Sequence, residues 1–239
     1  FNWGEPLLNK HITDFVALAS ERRISSTISS NFSFQYDDER LRSLIRSGLN
    51  QLIVSLDGAS VETAGTYRRR GDFDLVIENM RRLVRLKREM GSSTPYVVWR
   101  FLVFRFNAHA LARATELARE IGVDRICFAP AFLDEGDFEI SEEERARMKQ
   151  WVPTDPRLSY YDPAEAASAR PGELRKKGEP GVARSRCDWH YMSSAVNADG
   201  SVAACCALFS KKDDFGMLGE GPDGAYMAVV NNDKFVSIR

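Results

Sequence analysis

The 239 residues contain no apolar run near the ~18 residues a membrane-spanning helix needs. No signal peptide is in view, which leaves a secretory route without support. No glycine-rich phosphate loop follows a strand-like run, and "FAPAFLDEG" is not one. A surplus of one charge sign is also missing: net charge is -1, so nothing suggests a nucleic-acid or membrane surface. Cysteine is scarce, with four in the chain. At this length, with 44% hydrophobic residues, a core forms without disulfide staples. There is no low-complexity tract and no internal repeat beyond an alternation of strand and helix.

That alternation is the main positive signal. Phe73, Val76, Ile77, Met80, Leu83 and Val84 follow helical spacing, as do Leu111, Ala114, Leu117, Ala118 and Ile121. Gly48, Gly91 and Gly122 each stand where a helix ends in a left-handed residue. After each comes an apolar run, "LIVSL", "YVVWRFLVF" and "RICFAP", near-continuous as in parallel strands buried on both faces. Strands are expected around Asn2, Ile24–Ser29, Leu52–Leu56, Tyr96–Phe104 and Arg125–Phe128. Helices are expected near 9–22, 38–47, 73–90, 108–121 and 141–150. The fold class is α/β, a parallel sheet or barrel with right-handed crossovers. Its domain spans 1–150. A Pro-rich linker over 151–186 follows, and a second unit over 187–239. That unit opens with a hairpin turning at Asn197-Ala198-Asp199-Gly200.

In such folds ligands sit at the C-terminal ends of the strands. Glu5 stands there between Gly4 and Pro6; it is either an exposed loop residue or a carboxylate aimed at the strand-end pocket, suited to an ammonium group. Asn31 ends the next strand and offers a donor and an acceptor, suited to a ribose diol. Ser55 and Asp57 flank Leu56 in "SLDG". After a short loop, Arg68 or Arg70 can return to hold a carboxylate bidentately. Singly, each is as well explained by a solvated loop.

Together, "NWGEPLLN", "SLDGAS…TYRRRGDFDLVIENMRRL", "VVWRFLVFRFN" and "LAREIGVDRICF" resemble the radical S-adenosylmethionine (SAM) enzymes that carry a C-terminal SPASM or twitch domain. The resemblance implies a partial (β/α)6 barrel, here without its first βα unit, followed by a small hairpin-containing SPASM/twitch segment. It implies that Glu5, with Gly4 and Pro6 in the same motif, binds the methionine amino group of SAM. Asn31, Ser55, Asp57 and Arg68 stand at places that meet its ribose and carboxylate. The family's CxxxCxxC loop, which holds the [4Fe–4S] cluster, occurs nowhere in this chain. The expectation is a fragment of an active enzyme; the alternative is a degenerate barrel that serves as a binding module.

Cys187 is followed by twelve residues, Gly200, four residues and Cys205, which matches the opening Cys…Gly…Cys pattern of a SPASM domain. A hairpin at Gly200 sets the two thiolates across from each other, suited to an auxiliary [4Fe–4S] cluster. Buried thiols and a zinc site with His190 are the other readings. Cys206 points the opposite way in a regular strand and packs. Cys127 and the aromatic residues of "WRFLVFRF" are expected in the core, and His11 and His109 at helix starts. The resemblance further implies a cytoplasmic oxidoreductase or maturase. It acts on a peptide or small molecule and draws electrons from a flavodoxin- or ferredoxin-like donor. A third class, an unrelated βα-barrel enzyme with a zinc-binding tail, lacks the phosphate loop that would favour it.

Overall fold

The computed structural model describes residues 4–69, 71–131, 143, 150–159, 193–197, 199–203, 211–219 and 224–237. The chain divides into two compact units. In the larger unit four strands, β1 (Thr27–Ser30), β2 (Gln51–Ser55), β3 (Tyr96–Val103) and β4 (Arg125–Pro130), form one parallel sheet in that order. The helices are α1 (Ile12–Glu21), α2 (Asp38–Arg46), α3 (Val61–Tyr67), α4 (Phe73–Glu89) and α5 (Leu111–Ile121). Four of the five expected strands are present; the one around Asn2 lies outside the described residues, as does most of the helix expected near 141–150 and the linker beyond 159.

The helices form where capping and periodicity agree. Asp37 caps α2 by accepting from Arg40 N at 2.7 Å, and Asp72 caps α4 by accepting from Leu75 N at 3.0 Å. The α4 stripe Val76, Ile77, Met80, Leu83 and Val84 is buried against the sheet. Gly122, at φ +83°, closes α5 in the left-handed region, as the sequence led one to expect.

Among the described residues, helices pack on one face of the sheet. Ile28, Leu52, Val54, Val97, Trp99 and Phe101 are buried, and with the helices they build the core. Fully burying a side chain of this size contributes about 2–3 kcal/mol. The other face carries Ser29, Ser55, Arg100 and Cys127, which are exposed or half-buried. Burial on both faces therefore holds for part of β3, where Val97, Val98 and Trp99 are buried in succession, and Cys127 is half-buried rather than in the core as expected.

A surface network ties α2 to α4. Arg82 and Arg85 donate to Asp38, and Arg42 and Arg85 donate to Glu89. Hydrogen bonds from Arg82 hold the Asp38 carboxyl below its ordinary value, and those from Arg42 do the same for Glu89. A depressed carboxyl contributes stability above its unfolded-state value and loses it as pH falls through the folded one. The melting temperature should therefore drop on acidification below the ordinary carboxylate range. Asp38→Asn should flatten that drop; a melting curve with an undiminished acid loss in Asp38→Asn would refute the assignment.

In the smaller unit β5 (Ala195–Val196), β6 (Ser201–Ala203) and β7 (Gly216–Met217) form an antiparallel sheet, beside α6 (Gly224–Val230) and α7 (Asp233–Val236). The hairpin expected at 197–200 is there. Asn197 N donates to Ser201 O at 2.8 Å, and Gly200 takes φ +86°. Val202, Phe215, Val229, Val230 and Phe235 form its core. Cys187, His190, Cys205 and Cys206 lie outside the described residues.

Candidate functional site

The C-terminal ends of β1 and β2 are built by side chains that grip backbone. Glu5 Oε1 accepts from Leu7 N at 3.1 Å, at the start of a short 3-10 turn over Pro6–Leu8, and Oε2 accepts from Asn31 N at 2.8 Å. The carboxylate thus joins its own turn to the loop after β1. Arg40 clamps the same turn from α2, donating to the carbonyls of Leu7, Asn9 and Lys10 at 3.4, 2.9 and 3.3 Å. Gly4 takes φ +90°, a conformation a side chain would resist.

The loop after β1 carries strain. Phe32 is fully buried at φ +55°, an outlier for a bulky residue. It is held there by Ser30 Oγ, which accepts from Phe32 N at 2.8 Å. Asn79 Nδ2 donates to the carbonyls of Phe32 and Phe34 at 3.0 and 2.9 Å. Asn31 Oδ1 accepts from Ser33 N, which leaves its Nδ2 without a partner among the described residues.

After β2, Asp57 is fully buried. Its Oδ1 accepts from Leu102 N at 2.8 Å and its Oδ2 from Arg68 Nε at 2.7 Å. Its carbonyl accepts from Asn107 Nδ2 at 2.9 Å, and Asn107 also closes the turn after β3 by accepting from Phe104 N at 2.7 Å. Burial pushes the Asp57 carboxyl up, while Arg68 and the Leu102 amide pull it down. Gly58 lets α3 press onto this turn: a Cβ there would stand 2.2 Å from Ala64 N. α3 itself starts on a reciprocal cap between Ser60 and Thr63. Its end delivers Arg68 back to the strand ends, and Arg68 keeps both Nη groups free of partners among the described residues.

Between these loops lies a cavity of about 550 Å³, within the range of small-molecule sites. Asn31, Ser55 and Arg68 line it together, joined by Ser33, Tyr67 and Arg69. Glu5 and Asp57 do not line it; they fix the backbone and the guanidinium that do. Arg70 lies outside the described residues. The sequence reading missed Tyr67, whose ring packs on Phe104 at 4.7 Å, and it missed the positioning residues Arg40 and Asn107. Their only signal was an Arg and an Asn near strand ends, which is too common to select them. Among the described residues no group of His, Cys, Asp and Glu could hold a metal ion. None of their helices is long and apolar enough to cross a membrane.

No family model matches the chain. The Fe-coproporphyrin III synthase of Methanosarcina barkeri (strain Fusaro / DSM 804) is 30% identical over 129 residues, 54% of this chain and 30% of that protein. Streptococcus suis SuiB, solved bound to S-adenosylmethionine, superposes with a TM-score of 0.61 at 15% identity, over 99% of this chain and 55% of its own. Its complex with the precursor peptide SuiA gives 0.59 at 13% identity, over 99% and 54%. The enzyme anSMEcpe, solved with bound AdoMet, gives 0.54 at 15% identity, over 98% and 66%. At such identities the structures establish the fold, and the chain spans less than two thirds of each of these proteins.

Proposed function

We propose that this chain belongs to the radical SAM superfamily, binds S-adenosylmethionine in the strand-end cavity and serves radical chemistry in its full-length protein. The carrying observation is that Asn31, Ser55 and Arg68, distant in sequence, converge on one cavity. The donor set fits the cofactor. The free Nη groups of Arg68 suit its carboxylate, and Asn31 Nδ2 and the Ser55 hydroxyl suit its ribose. Beside that cavity, the Gly-Glu-Pro motif is proposed as the amino-group subsite, with the Glu5 carboxylate both fixing its own turn and keeping lone pairs for an ammonium. When bound at a reduced [4Fe–4S] cluster, SAM supplies a 5′-deoxyadenosyl radical that takes a hydrogen from substrate. The described residues offer no ligand set for that cluster, so the work of this chain is to bind, orient and shield.

Cys187 and Cys205 are proposed as ligands of an auxiliary [4Fe–4S] cluster; the hairpin turn at Gly200 supports this reading. A peptide substrate is supported by the fold shared with the SuiA complex, and a small molecule by the shared sequence with the synthase. A flavodoxin- or ferredoxin-like donor in the cytoplasm completes the reading. The test is Arg68→Ala in the full-length protein. Losing a charge-assisted contact should weaken SAM binding roughly 10–100-fold by equilibrium dialysis, with iron content unchanged. Equal affinity in the variant would remove Arg68 from the site.

A further inference from the structure

The face of the sheet away from the helices holds a cation, Arg100, that no described residue pairs. Arg100 sits midway along β3, which is hydrogen-bonded to β2 on one side and β4 on the other. Its carbonyl is in the ladder, accepting from Leu56 N at 3.1 Å. Its neighbours Trp99 and Phe101 are fully buried beneath the helices, so strand alternation turns Arg100 to the opposite face. The register sets Ser55, Arg100 and Cys127 side by side in one row. Ser55 lines the cavity, and Arg100 stands next to it in the row without being on the cavity wall itself. The guanidinium is exposed and makes no ion pair or hydrogen bond among the described residues. A central strand of a parallel sheet favours apolar side chains, and an unpaired Arg there calls for a partner.

Charge counting says what kind. Arg68 and Arg100 both act electrostatically on the buried Asp57. Arg68 is spoken for by the Asp57 carboxylate, and on the cavity wall Arg69 stands with Asp72, so Arg100 is the guanidinium with no carboxylate of its own among the described residues. SAM does not supply one. Its carboxylate is offset by its ammonium, and its sulfonium leaves it a net cation.

We propose that Arg100 holds an anionic group of the substrate, a carboxylate or a phosphate, on the face of the sheet away from the helices, next to the cofactor. This rests on the reading of the cavity as a SAM site. A planar guanidinium matches either oxyanion bidentately.

The experiment is residue-resolved labelling of the SAM-loaded full-length protein with phenylglyoxal, read by mass spectrometry, with citrate and inorganic phosphate as probes. Arg119, exposed on α5, is the internal control. Arg100 should label readily without added anion. One of the probes should slow it at least about tenfold relative to sodium chloride at equal ionic strength, while Arg119 is unaffected. The stronger protector identifies the anion class. Arg100→Lys should bind the protecting anion more weakly, as loss of the bidentate fork requires, read by titration calorimetry. The proposal is overturned if Arg100 resists labelling without anion, if neither probe slows it beyond chloride, or if SAM alone protects it. SAM binding is measured separately by equilibrium dialysis. Protection by anion without SAM binding would defeat the SAM reading while the anion site stands.

Discussion

Asp57→Asn is expected to destabilise the protein by about 3 kcal/mol, the low end for breaking a buried ion pair because Arg68 is partly exposed. The substitution keeps shape and one acceptor. Asparagine Oδ1 still takes the Leu102 amide, but Nδ2 then faces Arg68 Nε, donor against donor. Arg68 must leave its place on the cavity wall, with no carboxylate left to hold it. SAM affinity should fall together with the urea midpoint, by roughly tenfold or more. The double variant Asp57→Asn/Arg68→Ala should cost less than the sum of the two single changes, because the partners act as one unit. Additive losses, or a SAM affinity untouched in Asp57→Asn, would show that the ion pair does not position the guanidinium. The pH dependence separates this pair from the surface network. Burial raises the Asp57 carboxyl, so its contribution is full below the unfolded-state value and declines as pH rises through the folded one. Acid unfolding belongs to Asp38 and Glu89, whose carboxyls are depressed.

What the sequence disclosed depended on the range of the interaction. Helical periodicity is local, and α4 and α5 stand within a few residues of their expected bounds. The segment between Gly58 and Arg68, read as a short loop, contains α3. Its seven residues include Val, Gly and two Thr, poor helix formers, and its stability comes from the cap at Ser60 and from packing beside Gly58. The second expected strand, Ile24–Ser29, began too early. Ile24 is exposed, and Arg23 takes φ +56° at the end of α1, a left-handed turn with no glycine to announce it. The site divided in the same way. Asn31 follows β1 and Ser55 ends β2, so position put both at the strand ends, whereas Arg68 reaches the cavity wall from the end of α3. The roles of Glu5 and Asp57 were not readable from position, because each is defined by an amide far away in the chain: Asn31 for one, Leu102 for the other. The polar face of the sheet was hidden because its residues alternate with a strongly apolar set, and the apolar set dominates any reading of the run.

Glu5→Ala is the second large effect. It leaves the Leu7 and Asn31 amides without their acceptors, at about 1–3 kcal/mol for each buried donor left unmade. The loop after β1 then loses one of the bonds that hold Phe32 in its strained conformation, and the turn proposed as the amino-group subsite is released. SAM binding should be lost beyond the reach of equilibrium dialysis, with the fold weakened but intact. Glu5→Gln separates the two roles of the side chain. Its single carbonyl oxygen can satisfy one amide well and the other poorly, and it carries no charge for an ammonium group. If Glu5 acts only by holding backbone, the losses of stability and of SAM affinity should track each other across Ala and Gln. If the carboxylate also receives the ammonium, Gln should keep most of the stability and still lose roughly tenfold in affinity, the worth of turning a charge-assisted bond into a neutral one. The second outcome is expected, because two amides leave the carboxylate with lone pairs unoccupied and its place at the turn faces the strand ends.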